Sequence, residues 1–133
     1  MANSILCDIV TPESVLFSGE AVLVVAPGIE GDIGMMNMVS PTMSILRRGV
    51  IRVKDENDKL TSIALDAGYL QVDGRKAIVL AMRAIDVAEI DKEDCQKSIA
   101  ENQKRLDELD DKNPAKAYAK EEIAWQTHLL SLV

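Results

Sequence analysis

Aromatic side chains are scarce in this sequence: one Trp, two Tyr and one Phe make up 3% of its 133 residues. A buried core must therefore be assembled from Val, Ile, Leu, Met and Ala. No apolar run approaches the roughly 20 residues needed to cross a bilayer. The start, Met1 to Ser4, has neither the basic opening nor the apolar middle of a secretory signal, so a cytosolic chain with no direct membrane insertion is expected. Positive charge is in the minority, with 15 Lys and Arg against 22 Asp and Glu and a net charge of −7. That balance argues against nucleic acid or an anionic lipid surface as direct partner. The two cysteines, Cys7 and Cys95, lie far apart in different kinds of segment and read as reduced, packed thiols. With the single histidine, His128, they show no zinc-binding spacing. His128 lies beside Leu129 and Leu130 and reads as a packed or surface residue. No metal, cofactor or catalytic residue is expected.

What is present is a chain in two parts, 1–86 and 87–133. The stretch Val24 to Pro41 dominates the first. Val22 to Ala26 reads as a buried strand, stopped by Pro27-Gly28. Gly28, Gly31 and Gly34 follow, interleaved with Glu30 and Asp32, and then Met35, Met36, Met38 and Val39. The spacing is too broken for a helix and predicts a Gly-bent apolar loop, either folded onto a core or docked on a partner. The glycines lack the Lys-Ser/Thr of a phosphate loop and open no helix. Around this stretch the pattern is strand-like. Ile5, Cys7 and Ile9 alternate with polar neighbours, and Val15 to Phe17 ends at Ser18-Gly19. Val50 to Val53 and Leu60 to Ala67 flank a turn over Lys54 to Lys59. Tyr69 to Val72 and Lys76 to Ala81 flank Asp73-Gly74, a strong hairpin signal. Many short strands with such turns predict an all-β sandwich or barrel.

After residue 86 the period changes from two to about 3.6. Asp91 can cap a helix reaching Leu109, with Glu93 and Asp94 placed for the positive end of its dipole. Cys95, Ile99, Leu106 and Leu109 share one stripe, interrupted by Asn102. Residues 110–114 break the helix, and Pro114 suits the start of a second, from about Ala115 to Leu132. There Tyr118, Trp125, Leu129 and Leu132 form one stripe, and Ala119, Ile123, Leu130 and Val133 another beside it. Together they cover nearly half the circumference, against about a quarter for the first helix. A two-helix hairpin needs only the narrower face, so the second helix is expected to touch a further surface, and the pair to lean on the β-domain or on another protein.

Several short motifs, in order, resemble the epsilon subunit of the bacterial F-type ATP synthase over essentially the whole chain. They are Val24-Val25-Ala26-Pro27-Gly28, Glu30-Gly31-Asp32-Ile33-Gly34, Leu46-Arg47-Arg48-Gly49-Val50-Ile51, Gly68-Tyr69-Leu70-Gln71-Val72, Ile78-Val79-Leu80-Ala81 and Ala88-Glu89-Ile90-Asp91. The resemblance implies an α+β arrangement by segment, with an N-terminal ten-stranded β-sandwich followed by a C-terminal antiparallel two-helix hairpin. It implies a non-catalytic rotor subunit of the central stalk, monomeric when free and peripheral on the cytoplasmic face of the bacterial plasma membrane. Its sandwich would bind the gamma subunit and the c-subunit ring, and its hairpin could reach the alpha and beta subunits and restrain ATP hydrolysis. Carried onto this chain, Glu30, Gly31 and Asp32, with Met36, Met38 and Val39, are the ring or gamma contact candidates. Lys116, Lys120, Ile123, Trp125, Leu129 and Leu130 are the candidates on the hairpin. A small β-sandwich binding module with a dimerising hairpin is the alternative.

Two departures from the family pattern carry expectations of their own. Where relatives have a Leu-Pro-Gly-His-Ala-Pro type segment, residues 36–41 keep only Pro41, which predicts a more apolar contact. The family's ATP motif, Ile/Leu-Asp-x-x-Arg-Ala, is degenerate here: Ile90 and Asp91 are followed by Asp94 and Cys95. An acid in place of the Arg repels a triphosphate, so ATP is not expected to bind. Residues 91–133 hold ten acids and seven Lys or Arg, a net of −3. Inhibition by the hairpin is therefore expected to rest on the apolar Ile123, Leu129 and Leu130 more than on charge.

Overall fold

The computed structural model describes residues 4–36 and 39–133, the side chain of Val39 excepted. Two of the contact candidates, Met38 and the Val39 side chain, lie outside the described residues. The chain divides into two compact units, the first ending at Asp86 and the second beginning at Val87.

Ten strands build the first unit: β1 (Ile5–Val10), β2 (Val15–Ala21), β3 (Leu23–Gly28), β4 (Gly31–Met35), β5 (Val39–Leu46), β6 (Gly49–Lys54), β7 (Leu60–Leu65), β8 (Gly68–Gly74), β9 (Lys76–Ala81) and β10 (Ala84–Asp86). They pair in the order β10-β7-β6-β3-β5-β8-β9-β1-β2, with β4 alongside β3. β3 and β5 meet only where Gly28 pairs with Leu46. That junction separates one leaf, β10-β7-β6-β3-β4, from the other, β5-β8-β9-β1-β2. Among the described residues all strand pairs are antiparallel except β1 with β9. This is the sandwich that the family resemblance implies.

Alternation decides what goes inside, because successive side chains of a strand point to opposite faces. Ile5, Cys7 and Ile9 of β1 are buried, as are Val24 and Ala26 of β3, Ile51 and Val53 of β6, Ile63 and Leu65 of β7, Leu70 and Val72 of β8, and Ala77, Val79 and Ala81 of β9. Both leaves contribute to this aromatic-poor core. Burial also accounts for the Cys7 thiol, whose pKa is pushed up to about 12, with the neighbouring charge of Asp8 adding to the effect. At neutral pH it is a packed, protonated group.

Three sequence expectations need correction. The Gly-bent stretch after Gly28 is a strand: β4 returns along β3 through a two-residue turn, Ile29-Glu30, with Gly28 opposite Gly31. Its methionines separate, Met35 buried in the core and Met36 exposed. Gly19 does not end β2, which continues to Ala21. The hairpin between β8 and β9 turns over Gly74-Arg75, one residue later than expected, since Asp73 pairs with Lys76. Gly74 takes a φ of 65°, as the first central residue of a type II′ turn requires.

The end of the sandwich that holds the β5–β6, β7–β8 and β9–β10 turns is tied by charge. Arg48 Nε donates to Asp66 Oδ1 at 2.8 Å, and an Arg83 guanidinium nitrogen donates to Asp66 Oδ2 at 3.0 Å. The backbone N–H of Asp66 also donates to the carbonyl of Arg83. Partial burial alone would raise the Asp66 carboxyl, but the hydrogen bonds and charges of the two arginines outweigh it and hold it below the usual carboxylate range. The next residue, Ala67, sits in the left-handed region with a φ of 61°.

The second unit opens with a 3-10 turn at Val87–Glu89, followed by α1 (Lys92–Glu108) and α2 (Pro114–Leu130), which pack on each other. The Asp91 carboxylate caps α1, accepting from the N–H groups of Glu93 and Asp94. Asn113 caps α2, and Pro114 occupies its first turn. Asn102, the polar interruption of the α1 stripe, is buried and donates to the Ser98 carbonyl at 2.8 Å. On α2, Ala119, Trp125 and Leu129 are buried. Tyr118 is exposed and does not belong with them, another departure from the expected stripe.

Candidate functional site

The outer face of the β5-β8-β9-β1-β2 leaf carries an arrangement that no single strand reveals. Ile45 pairs with Tyr69, Tyr69 with Leu80, Leu80 with Val10, and Val10 with Val15. One rung across five strands is thus apolar from end to end. Four of its five members stand open to solvent, Ile45 53% exposed, Tyr69 55%, Leu80 53% and Val15 65%, and Val10 is half-buried. The next rung, Met43-Gln71-Ile78-Asp8-Ser18, is mixed, and the one after it includes Asp73, Lys76, Leu6 and Glu20. Polarity therefore rises along the strands, and within the mixed rung the Ser18 hydroxyl donates to Asp8 at 2.7 Å. A row of large apolar side chains bordered by polar ones is the composition of a docking surface.

Sequence reading missed Ile45, Tyr69 and Leu80 as functional residues. The available signal was the absence of alternation in Ile78-Val79-Leu80-Ala81 and Gly68-Tyr69-Leu70. An outward position in a half-buried strand is expected to be polar, and here it is not.

The turn candidates Glu30, Gly31 and Asp32 lie at one border of this face, across a groove from Ile45. Glu30 and Gly31 belong to the Ile29-Glu30 turn and its flank, and Asp32 is held by Arg47 at 2.9 Å. Residues 28–33 and 42–45 enclose a groove of about 570 Å³. Met36 is exposed beyond the end of β4. Three of the six candidates, Glu30, Gly31 and Asp32, are thus on one strand and its turn.

The hairpin candidates divide. Trp125 and Leu129 are buried, while Ile123 and Leu130 are half-buried. The Trp125 and His128 rings lie 5.8 Å apart between centroids, tilted by 40°. Lys116 is ion-paired with Asp111, and Lys120 is exposed. At the degenerate ATP motif, the Asp91 carboxylate is engaged in capping α1. Burial pushes the adjacent Cys95 thiol up, with the charges of Asp91 and Asp94 contributing, so the start of α1 is an electronegative place. Among the described residues no cluster of three His, Cys, Asp or Glu could hold a metal. No described helix is long and apolar enough to cross a membrane.

Fold and surface together define a β-sandwich docking subunit with an appended helical hairpin. A sequence model for the ATP synthase delta/epsilon chain β-sandwich domain matches residues 4–87. The ATP synthase epsilon chain of Carboxydothermus hydrogenoformans is 40% identical over 106 residues, covering 80% of this chain and 78% of that one. Epsilon chain 1 of Methylococcus capsulatus is 36% identical over 122 residues, or 90% and 84% of the two chains. Among solved structures, a chain of the Euglena gracilis mitochondrial ATP synthase shares the fold with a TM-score of 0.74, at 17% identity and covering 96% of this chain and 80% of that one. The chain belongs to the ATP synthase epsilon chain family, structural subunits of the F-type enzyme.

Proposed function

We propose that this chain is a central-stalk rotor subunit of a proton-translocating F-type ATP synthase, holding gamma to the c ring so that rotation reaches the catalytic head. The observation that carries this reading is the apolar rung Ile45-Tyr69-Leu80-Val10-Val15, an open surface on a chain of this family. Gamma covers that face, and the turn residues Glu30, Gly31 and Asp32, with Met36, meet the ring. A similar chain in the Tetrahymena thermophila enzyme comes from a central stalk and c-ring assembly, matching with a TM-score of 0.55. The subunit is peripheral, on the cytoplasmic side, and does no chemistry itself. Its hairpin restrains hydrolysis by presenting the half-buried Ile123 and Leu130 to alpha and beta, with the buried Trp125 and Leu129 joining them only when the helices part, and with Lys116 and Lys120 secondary. ATP is not a ligand, because three acids (Asp91, Glu93 and Asp94) crowd the start of α1.

The test is binding and hydrolysis with a reconstituted alpha-beta-gamma complex. Desolvating a charge in a docked apolar row costs several kcal/mol, so Leu80→Asp should weaken gamma binding by about a hundredfold or more. Unchanged binding by Leu80→Asp and by Tyr69→Asp would remove the docking face from the reading. Suppression of hydrolysis by the full chain, and not by a chain ending at Ala88, identifies the hairpin as the brake. If neither suppresses it, the hairpin has no inhibitory role.

A further inference from the structure

The groove beside the turn has the form of a vacant strand position. β4 pairs only with β3, and β5 pairs with β8 along one edge and with β3 only at Leu46. At that junction the Ile29 N–H donates to the Ile45 carbonyl at 3.0 Å, and the Arg47 N–H to the Pro27 carbonyl at 2.9 Å. β3 thus begins a ladder with β5 and abandons it one residue later, where the chain turns back at Ile29-Glu30. In an antiparallel ladder, residues two apart aim their backbone groups at the same edge. Since the Ile45 carbonyl faces the groove, so do the N–H and carbonyl of Met43, and no strand of the described residues lies opposite them. The Met43 side chain is 70% exposed and that of Ile29 64%.

We infer that this groove receives one short extended segment of the protein that covers the apolar face, paired along β5 as a continuation of the interrupted β3 line. The inference rests on the docking reading above, because Ile45 belongs to both the apolar rung and the groove wall, making the two surfaces continuous. Strand addition to an open edge derives affinity from main-chain hydrogen bonds and specificity from alternate side chains. The four-residue edge 42–45 sets the length, about 13 Å of strand. Charge sets the composition. Asp32 is already paired with Arg47, whereas Glu30 is exposed at the mouth and the whole chain carries −7. The segment should therefore offer apolar side chains to Ile29 and Met43 and a basic one to Glu30.

The experiment uses the full chain with the alpha-beta-gamma complex and follows backbone amide exchange and affinity. On complex formation the Met43 amide should exchange at least about tenfold more slowly, as one new hydrogen bond requires. Met43→Pro removes that N–H at an edge position where Pro is tolerated and should weaken binding by about tenfold relative to Met43→Leu. An unchanged Met43 amide in the complex overturns the inference, and so does equal binding by the Pro and Leu variants. If Met43→Pro does not fold, the amide measurement on the natural chain decides alone. Tyr69→Asp separates the two ideas: if it binds normally while the Met43 amide is protected, the face reading fails and the strand site stands. If the isolated chain dimerises with Met43 protected, the occupant is a second copy and the inference is wrong.

Discussion

Replacing Asp66 by Asn tests whether charge holds the turns at one end of the sandwich together. The Asp66 side chain is only 17% exposed and accepts from both Arg48 and Arg83, which are themselves 30% and 37% exposed. A hydrogen bond to a charged group contributes about 1.5–3 kcal/mol, and the solvent around the two guanidiniums places this pair toward the lower end. Asn keeps the shape and one acceptor, so a net loss of about 2 kcal/mol is expected at pH 7. For a unit of this size that lowers Tm by about 10 °C. The pH dependence separates charge from packing. The folded carboxyl titrates below its unfolded value of about 3.9, so its contribution is complete above that pH and is lost as pH falls through the lower, folded value. The natural chain should therefore lose its advantage over Asp66→Asn in strong acid. Urea unfolding followed by circular dichroism at pH 7, 4 and 2.5 measures this directly. A deficit that is the same at all three pH values would show that the variant fails through shape, and no deficit at pH 7 would show that the clasp contributes nothing.

Other outcomes follow from the same region and from the core. Ala67→Gly relieves the left-handed φ of 61° and should stabilise the chain by about 0.5–1 kcal/mol in the same unfolding assay. Gly68→Ala should do the opposite. A Cβ there would collide with the carbonyl oxygen of Leu80 and come within 3.1 Å of the Ala81 Cα, so the β8–β9 pair must part and Tm should fall by more than in Asp66→Asn. Cys7, fully buried with its thiol pushed up to about 12, should resist a disulfide-exchange reagent at pH 8 until urea unfolds the sandwich. Millimolar ATP should leave the amide resonances around Asp91 without a saturable shift; a saturating shift would restore the nucleotide site.

The helices were the most legible part of the sequence because their signals are local. Asp91 and Pro114 each act on backbone groups within one turn of themselves, and the α1 cap and the α2 start stand where those residue types place them. Strand pairing was legible only where a turn announced it, as at Gly74. By sequence alone the Gly28–Gly34 stretch reads as a bent loop because glycine weakens a strand in isolation. β3 supplies a partner across residues 24–28 and makes a strand of it. Helical angle alone groups Tyr118 with Trp125, yet Tyr118 is exposed. The apolar rung was out of reach for a more basic reason. Ile45, Tyr69, Leu80, Val10 and Val15 come from five separate segments and become neighbours only through four pairing registers, none of which a single strand encodes.

The parallel pairing of β1 with β9 also affects how the chain is made. Leu6 and Lys76 are partners about 70 positions apart, whereas the β3–β4, β6–β7 and β8–β9 hairpins each close over a short turn. Closing the long loop is entropically costly and comes late. At ordinary rates of translation the first strand must wait about 4–14 s before its partner exists. During that interval Ile5, Cys7 and Ile9 face a core that still lacks Ala77, Val79 and Ala81, and β1 has only β2 to pair with. The nascent amino terminus is thus the adhesive part of this molecule, and the synthesis of β9 ends its exposure.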